Sequence, residues 1–171
     1  KWTPIEEVLE NLDNLVKSGK IRYIGLSNET AWGITKFLNC SETNKFSKPI
    51  STQNGYNLVN RTYEISNSEI SMREKLSLIV HSPLAGGLLS GKYLFGKKPK
   101  KSRFTNRKKS FLMHNTKRTE RAIKKYLSIA KKYNTSLSEL SYAFVSSRPF
   151  VASCIIGVTS VSQLRKNLKS I

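Results

Sequence analysis

The sequence predicts an α/β fold in which parallel strands alternate with helices, and three observations support this prediction. Short apolar runs rich in β-branched residues recur along the chain, and segments with the apolar spacing of helices follow them. Such alternation is typical of a parallel sheet covered by helices. Three of the runs end abruptly in small polar residues, at 27–28, 81–82 and 157–160. In parallel α/β folds, ligands bind where strands end in loops of this kind.

The spacing of apolar residues predicts four strands and six helices. The strands lie over about 21–26, 49–53, 76–81 and 151–156. The helices begin at about residues 3, 30, 64, 119, 136 and 160. Capping boxes mark three of these starts, at Thr3–Glu6, Ser136–Glu139 and Ser160–Gln163. The elements therefore form one leading helix followed by four strand-helix units, of which the third has two helices.

Four units are too few to close a barrel of eight, which takes about 250 residues. An isolated half would leave two sheet edges unpaired, and such edges favour pairing with a missing half. The sequence thus predicts the carboxy-terminal half of a (β/α)8 TIM barrel, as a single partial domain over 1–171. A first residue that is Lys rather than Met agrees with a fragment.

Composition narrows the class of protein further. A hydrophobic content of 38% permits a sizeable core, and no window approaches the roughly 18 consecutive apolar residues of a membrane span. Cys40 and Cys154 stand in dissimilar contexts without CxxC spacing, which favours reduced thiols over a disulfide or a metal site. We expect a cytoplasmic protein without a membrane span, and the oligomeric state stays open.

The formal charge of +19 allows polyanionic partners, and much of it lies in one stretch. Ten basic residues and no acidic residue stand between Lys97 and Arg118, which predicts a loop inserted into the fold. Phe104 and Phe111 lie among them, as in a contact for nucleic acid or a membrane surface. A solvated, lysine-biased loop is the favoured interpretation, because other surfaces of the chain are similarly rich in Lys.

Two loops suit a phosphate ligand. The residues from Gly86 to Tyr93 nearly match the pattern G-x-x-x-x-G-K-[ST], but Tyr93 replaces the hydroxyl that binds magnesium, which argues against a P-loop triphosphatase. Glycines that let a backbone approach, with Lys92, still suit another phosphate ligand. At 157–160, a strand runs into a capped helix start, which favours an anion. Neighbouring loops of this kind form the usual phosphate site of such barrels.

The helix after this second loop has two interpretations. Gln163 and Asn167 are four residues apart on one helical face, where they could hydrogen-bond a base or a ribose. Alternatively, Ser160 and Gln163 only cap the helix, and Asn167 is solvated.

No set of residues in the chain forms a complete catalytic site. His81 and Ser82 are neighbours at a strand end, so their side chains are expected to diverge, and no carboxylate nearby would orient the imidazole. The eleven acidic residues are spread mostly over predicted helix surfaces, which disfavours a carboxylate pair.

Three motifs, in order along the chain, resemble the aldo-keto reductases, in the branch of the Tas-like reductases and potassium-channel beta subunits. They are Gly19-Lys20-Ile21-Arg22-Tyr23-Ile24-Gly25-Leu26-Ser27-Asn28, then Ser82 through Tyr93, then Ile156 through Ser160 with Gln163 and Asn167. The resemblance implies an eight-stranded barrel that binds NADP(H) and reduces carbonyl substrates, aldehydes and ketones, to alcohols. It covers practically the whole chain.

The resemblance also implies which residues bind the nicotinamide end of the cofactor. Ser27 and Asn28, with Gln53, would hold the carboxamide. His81 occupies the position where relatives carry a Tyr or Trp that stacks on the nicotinamide, and an imidazole offers less stacking area.

The remaining cofactor residues follow from the same resemblance. The diphosphate would lie along Ser82, Pro83, Leu84, Ala85 and Gly86, largely on backbone groups. Lys92 with Arg103 or a neighbouring basic residue would meet the 2′-phosphate. The adenosine portion would be held by Gly157, Thr159, Gln163 and Asn167.

The family's catalytic Asp, Tyr, Lys and His come from the other half of the barrel, so the resemblance implies that this chain alone is inactive and that its partner is the missing amino-terminal half. The alternative is a non-catalytic relative that senses NADPH as a regulatory subunit, or a degenerate reductase.

Overall fold

The computed structural model describes residues 3–97, 99–100, 102–106 and 116–170. In this part of the chain, four strands form one sheet in chain order. The strands are β1 (Gly25–Ser27), β2 (Ser51–Gly55), β3 (Ser77–His81) and β4 (Val151–Cys154). The helices are α1 (Ile5–Lys17), α2 (Ala31–Asn44), α3 (Asn67–Glu74), α4 (Arg103–Asn106), α5 (Lys117–Lys132), α6 (Leu137–Ser146) and α7 (Val161–Leu168). Short 3-10 turns lie at Thr62–Glu64, Ala85–Ser90 and Leu94–Gly96.

The strands run parallel, which confirms the predicted α/β class of a partial barrel. Gly25 pairs with Ser51 and Ser27 with Gln53 in the parallel ladder of β1 and β2. The amide of Leu78 donates to Phe150 O at 2.8 Å, so β3 and β4 are neighbours as well. None of the described helices is long and apolar enough to cross a membrane.

The structure places the start of β1 later in the chain than the sequence predicts. We predicted β1 over 21–26, but it begins at Gly25. The reason is that the amides of Lys20 and Ile21 donate back to Leu15 O, at 3.0 and 3.3 Å, and so belong to the turn that ends α1.

One of the three predicted capping boxes is wrong, one is complete and one is half formed. Pro4 is the N-cap of α1 and forms no side-chain hydrogen bond there, so Thr3 does not cap this helix. At α6, Ser136 and Glu139 each bond the other's backbone amide. At α7, Ser160 accepts from the Gln163 amide, but Gln163 Oε1 accepts from Thr159 instead of Ser160.

The described chain divides into two compact units. Unit 1 consists of Lys1–Asn54, Thr62–Ile79 and Pro149–Ser153, and unit 2 of Gly55–Arg61, Val80–Arg148 and Cys154–Ile171. The core of unit 1 contains Leu26, Ile34, Leu38 and Leu76. The core of unit 2 contains Leu58, Leu88, Leu89, Tyr93, Leu94, Phe104, Ile123 and Leu137.

In unit 1, a buried carboxylate ties α1 to the chain that follows α2. Asp13 accepts hydrogen bonds from the amide and the hydroxyl of Ser47, at 2.8 and 2.7 Å, and Lys17 Nζ lies 2.6 Å away. The hydrogen bond from Lys17, followed by those from Ser47, lowers the pKa of Asp13 from 3.8 to about 2. The folded state therefore favours the ionised carboxylate.

This lowered pKa predicts a loss of stability in acid. Because the folded pKa lies below the unfolded one, the stabilisation is complete above about pH 4 and is lost as the pH falls towards 2. The midpoint of urea unfolding, measured from pH 5 to 2, should fall less steeply in Asp13→Asn than in the wild type. Glu10→Gln, at an exposed position of α1, is the matched control and should follow the wild type. Equal slopes for wild type and Asp13→Asn would contradict this role.

Candidate functional site

In unit 1, the ends of β1 and β2 bring three predicted residues together. Asn28 N donates to Gln53 O at 2.8 Å, and Asn28 Nδ2 donates to Ser27 Oγ at 3.2 Å. Asn28 has φ 54, a left-handed conformation that Asn tolerates better than most residues. Ser27 and Asn28 are exposed, and Gln53 is half-buried. The strand ends thus offer hydroxyl and amide groups to a small polar ligand.

Two asparagines that the sequence analysis missed anchor this loop. Asn54 Nδ2 and Asn67 Nδ2 both donate to Glu29 O, at 3.4 and 3.1 Å. Asn54 Oδ1 is buried and has no hydrogen-bond partner among the described residues. Asn is uncommon within strands, and that rarity was the available signal for Asn54. Both residues position the backbone that follows Asn28.

In unit 2, the end of β3 places an imidazole beside a hydroxyl. His81 Nδ1 lies 3.1 Å from Ser82 Oγ, so the expectation that these side chains diverge is wrong. The physical reason is the left-handed backbone of Ser82, at φ 57, which departs from the extended geometry that would separate neighbouring side chains. Gly55 leaves room for the ring, because a Cβ there would lie 3.1 Å from His81 Cε1.

A second asparagine pair fixes the loop of residues 55–61 against this strand end. Asn57 Nδ2 donates to Ser82 O at 3.0 Å, and its Oδ1 accepts from the amides of Val59 and Asn60. Asn60 Nδ2 donates to Gly55 O at 3.2 Å. Asn57 is buried. The loop is therefore held by side chains at both ends.

These elements enclose a cavity of about 280 Å³ in unit 2. Five predicted site residues line it, namely His81, Ser82, Ala85, Gly86 and Arg103, together with Gly55, Asn57, Val59, Asn60, Leu88, Phe104 and Thr119. No carboxylate is among these residues, whereas Arg103 supplies a positive charge. The lining thus combines polar groups with a cation, as a small anionic ligand requires.

Gly86 shapes one wall of the cavity. It has φ 67, and an ideal Cβ at this position would lie 2.6 Å from Phe104 Cζ. The Phe104 ring packs edge-on against Tyr93, with 5.4 Å between ring centroids. The wall therefore depends on a residue without a side chain.

Three predicted residues of the same segment lie outside the cavity lining. Pro83 is buried, and Leu84 packs on the core of unit 2. Lys92 is exposed, with Nζ 5.1 Å from the centroid of the Tyr93 ring. Of the two predicted cations, Arg103 lines the cavity and Lys92 does not.

The loop after β4 leaves the sheet beside the end of β3, because Ile155 N donates to Val80 O at 2.8 Å. The Thr159 amide and hydroxyl donate to Gln163 Oε1, at 2.9 and 3.2 Å. Gly157 has open space around it. The Ser160 hydroxyl caps the helix, since it accepts a hydrogen bond from the Gln163 amide. The open space at Gly157 leaves room for a ligand.

Asn167 is buried and hydrogen-bonded to Tyr142 rather than solvated. Burial, with a smaller contribution from Cys154, raises the pKa of Tyr142 to about 12, against the hydrogen bond from Asn167. Burial likewise raises the pKa of Cys154 to about 11. Both groups keep their protons at neutral pH, so neither is an activated nucleophile or base there.

Comparison with known proteins identifies the family. The chain is 37% identical to Protein tas of Escherichia coli over 176 aligned positions, which cover 99% of this chain and 51% of that protein. It is 35% identical to an aldo-keto reductase of Babesia bovis over 96% of this chain and 60% of that protein. A probable voltage-gated potassium channel subunit beta of rice is 31% identical over 99% of this chain and 52% of that protein.

The chain spans about half the length of these curated relatives. The sequence model of the Aldo/keto reductase family matches residues 1–171. This match confirms the resemblance that the three loop motifs indicated. The chain therefore belongs to the aldo/keto reductase family of oxidoreductases.

Proposed function

We propose that this chain is the cofactor-binding part of an NADPH-dependent reductase that converts aldehydes or ketones to alcohols. The observation that carries the proposal is the cavity at the end of β3, where Arg103 stands among polar groups without a carboxylate. Such a lining favours a phosphorylated ligand over a neutral one.

Residues that follow different strands would bind different parts of the cofactor. Ser27, Asn28 and Gln53 would bind the nicotinamide carboxamide, since they combine donors and acceptors at one point. Ser82 and the backbone of Gly86 would bind the diphosphate. Arg103, assisted by Lys92, would bind the 2′-phosphate. The adenosine portion would be held by Gly157, Thr159, Gln163 and Asn167.

When bound, the cofactor supplies a hydride to the carbonyl carbon of the substrate. The residues of this chain hold and orient it. None of the seven tyrosines in the sequence stands in the catalytic motif that the family resemblance implies. We assign the proton donor to the amino-terminal half of the barrel, and we expect the 171-residue chain alone to turn over no carbonyl substrate.

Helix α7 has a partly exposed apolar stripe, which the other half of the barrel would cover under this proposal. Val161, Leu164 and Leu168 recur at helical spacing, and Val161 and Leu168 are 68% and 60% exposed. A missing half of the barrel would cover this stripe and pair the open sheet edges.

A regulatory subunit that senses NADPH without reducing carbonyls is the second candidate. Its support is the similarity to the rice protein named as a probable potassium channel subunit beta. The imidazole of His81, at the position where the family carries a larger stacking ring, also favours binding that differs from a typical reductase.

Two measurements on the full-length protein separate these functions. NADPH binding is followed by the change in cofactor fluorescence, and turnover by NADPH oxidation with a panel of small aldehydes and ketones. Binding with turnover supports the reductase, and binding without turnover supports the sensor. Absence of NADPH binding would contradict both.

A further inference from the structure

The excess positive charge of the chain lies entirely in unit 2. Unit 1 contains nine basic and nine acidic residues, and unit 2 contains 21 basic and two acidic residues. The net charge of +19 is therefore that of unit 2. Only Glu120 and Glu139 are available within unit 2 to neutralise its cations. A field of this kind attracts polyanions.

Helix α5 concentrates part of this charge on one face. Seven exposed basic residues lie on it: Lys117, Arg118, Arg121, Lys124, Lys125, Lys131 and Lys132. At 100° per residue they occupy an arc of about 140°, along a helix of about 24 Å. Among the described residues, the ion pair on this face joins Lys124 to Glu120 at 2.8 Å. The other six cations face solvent.

The opposite face of α5 is already used in packing. Ile123 and Ala130 are buried, and Tyr126 donates its hydroxyl hydrogen to Leu58 O at 3.1 Å. A basic amphipathic helix that binds a membrane needs its apolar face free for insertion. Since this face lies in the core of unit 2, the geometry disfavours a membrane surface.

Two exposed aromatic rings lie next to cations of the same face. Phe95 is 68% exposed, and Lys124 Nζ lies 5.4 Å from its ring centroid. Tyr133 is 70% exposed, and Lys132 Nζ lies 5.8 Å from its ring centroid. Phe95 also has φ 59, an unfavourable backbone conformation for a residue with a Cβ. Rings beside cations are the elements with which proteins bind unpaired bases and phosphates.

We propose that the basic face of α5, with Phe95 and Tyr133, binds single-stranded nucleic acid. The cations would contact phosphates, and the two rings would stack on bases. This proposal departs from the expectation drawn from the sequence, which concerned the loop over 97–118. Lys98, Lys101 and 107–115 of that loop lie outside the described residues, whereas α5 and both rings lie within them.

The test is fluorescence anisotropy of a labelled 20-nucleotide oligouridine with the full-length protein, over a salt series from 50 to 300 mM. The first variant changes Arg118, Arg121, Lys125 and Lys132 to Gln. The matched control makes the same charge change in unit 1, at the exposed Lys20, Arg22, Lys45 and Lys75. Thermal melting by circular dichroism verifies that each variant is folded.

We expect the α5 variant to reduce the slope of log affinity against log salt by about 2 to 3, since each contact to a single strand contributes about 0.7. Tyr133→Ala should weaken binding about tenfold with little change in slope, because it removes stacking rather than charge. Equal effects of the α5 and control variants would overturn the proposal. So would binding to vesicles with 30% phosphatidylserine but not to the oligouridine.

Discussion

Gly86→Ala should destabilise the protein by about 2 to 5 kcal/mol. An Ala at φ 67 has a left-handed conformation that costs about 1 to 2 kcal/mol. The added Cβ would also lie 2.6 Å from Phe104 Cζ, in a packed region where overfilling costs about 1 to 3 kcal/mol. Urea unfolding of the full-length protein measures the loss. Displacement of Phe104 should weaken NADPH binding as well, because this ring lines the cavity.

Substitutions at two other glycines distinguish the cost of the backbone conformation from the cost of the contact with Phe104. Gly19 has φ 72 with nothing within 4 Å of an ideal Cβ, so Gly19→Ala should show the cost of the backbone alone. Gly157 lacks both constraints, and Gly157→Ala should leave the free energy of unfolding nearly unchanged. If Gly86→Ala cost no more than Gly19→Ala, the proposed wall at Phe104 would be absent.

Arg103→Ala should weaken NADPH binding by about 10- to 100-fold and NADH binding by less than about threefold. Loss of a hydrogen bond to a charged group costs about 1.5 to 3 kcal/mol, and only NADPH carries the 2′-phosphate. Lys92→Ala should show the same preference with a smaller effect, because Lys92 lies outside the cavity lining. Dissociation constants from fluorescence titration give the comparison.

The control for Arg103 is Arg22→Ala, which removes an exposed guanidinium in unit 1 and should leave both affinities unchanged. Equal losses for NADPH and NADH in Arg103→Ala would argue against a 2′-phosphate contact. They would leave a role in binding the diphosphate, which both cofactors share.

The order of strands and helices could be predicted from the sequence because it depends on local apolar spacing. The start of β1 could not be predicted in this way, because the amides of Lys20 and Ile21 donate hydrogen bonds to Leu15 O and so belong to the turn that ends α1. The capping box at Thr3 failed for a similar reason, since the pattern of side chains does not determine which residue begins the helix.

Some features of the candidate site could be predicted from the sequence and others could not. The glycine-rich segment was visible as a motif, and Ser82, Ala85 and Gly86 do line a cavity. Asn57 was not visible, because its bond to Ser82 O joins residues 25 positions apart. The contact of His81 with Ser82 was missed because a left-handed Ser has no clear signature in sequence. The segregation of charge was hidden because unit 2 is discontinuous along the chain.

The central claim is that the ends of the strands in this chain bind a phosphorylated nicotinamide cofactor. A crystal structure of the full-length protein grown with NADP⁺ tests it most directly. We expect the diphosphate within hydrogen-bonding distance of Ser82 and the backbone at Gly86, with Arg103 against the 2′-phosphate. A cofactor bound away from the cavity at the end of β3, or none at saturating concentration, would contradict it.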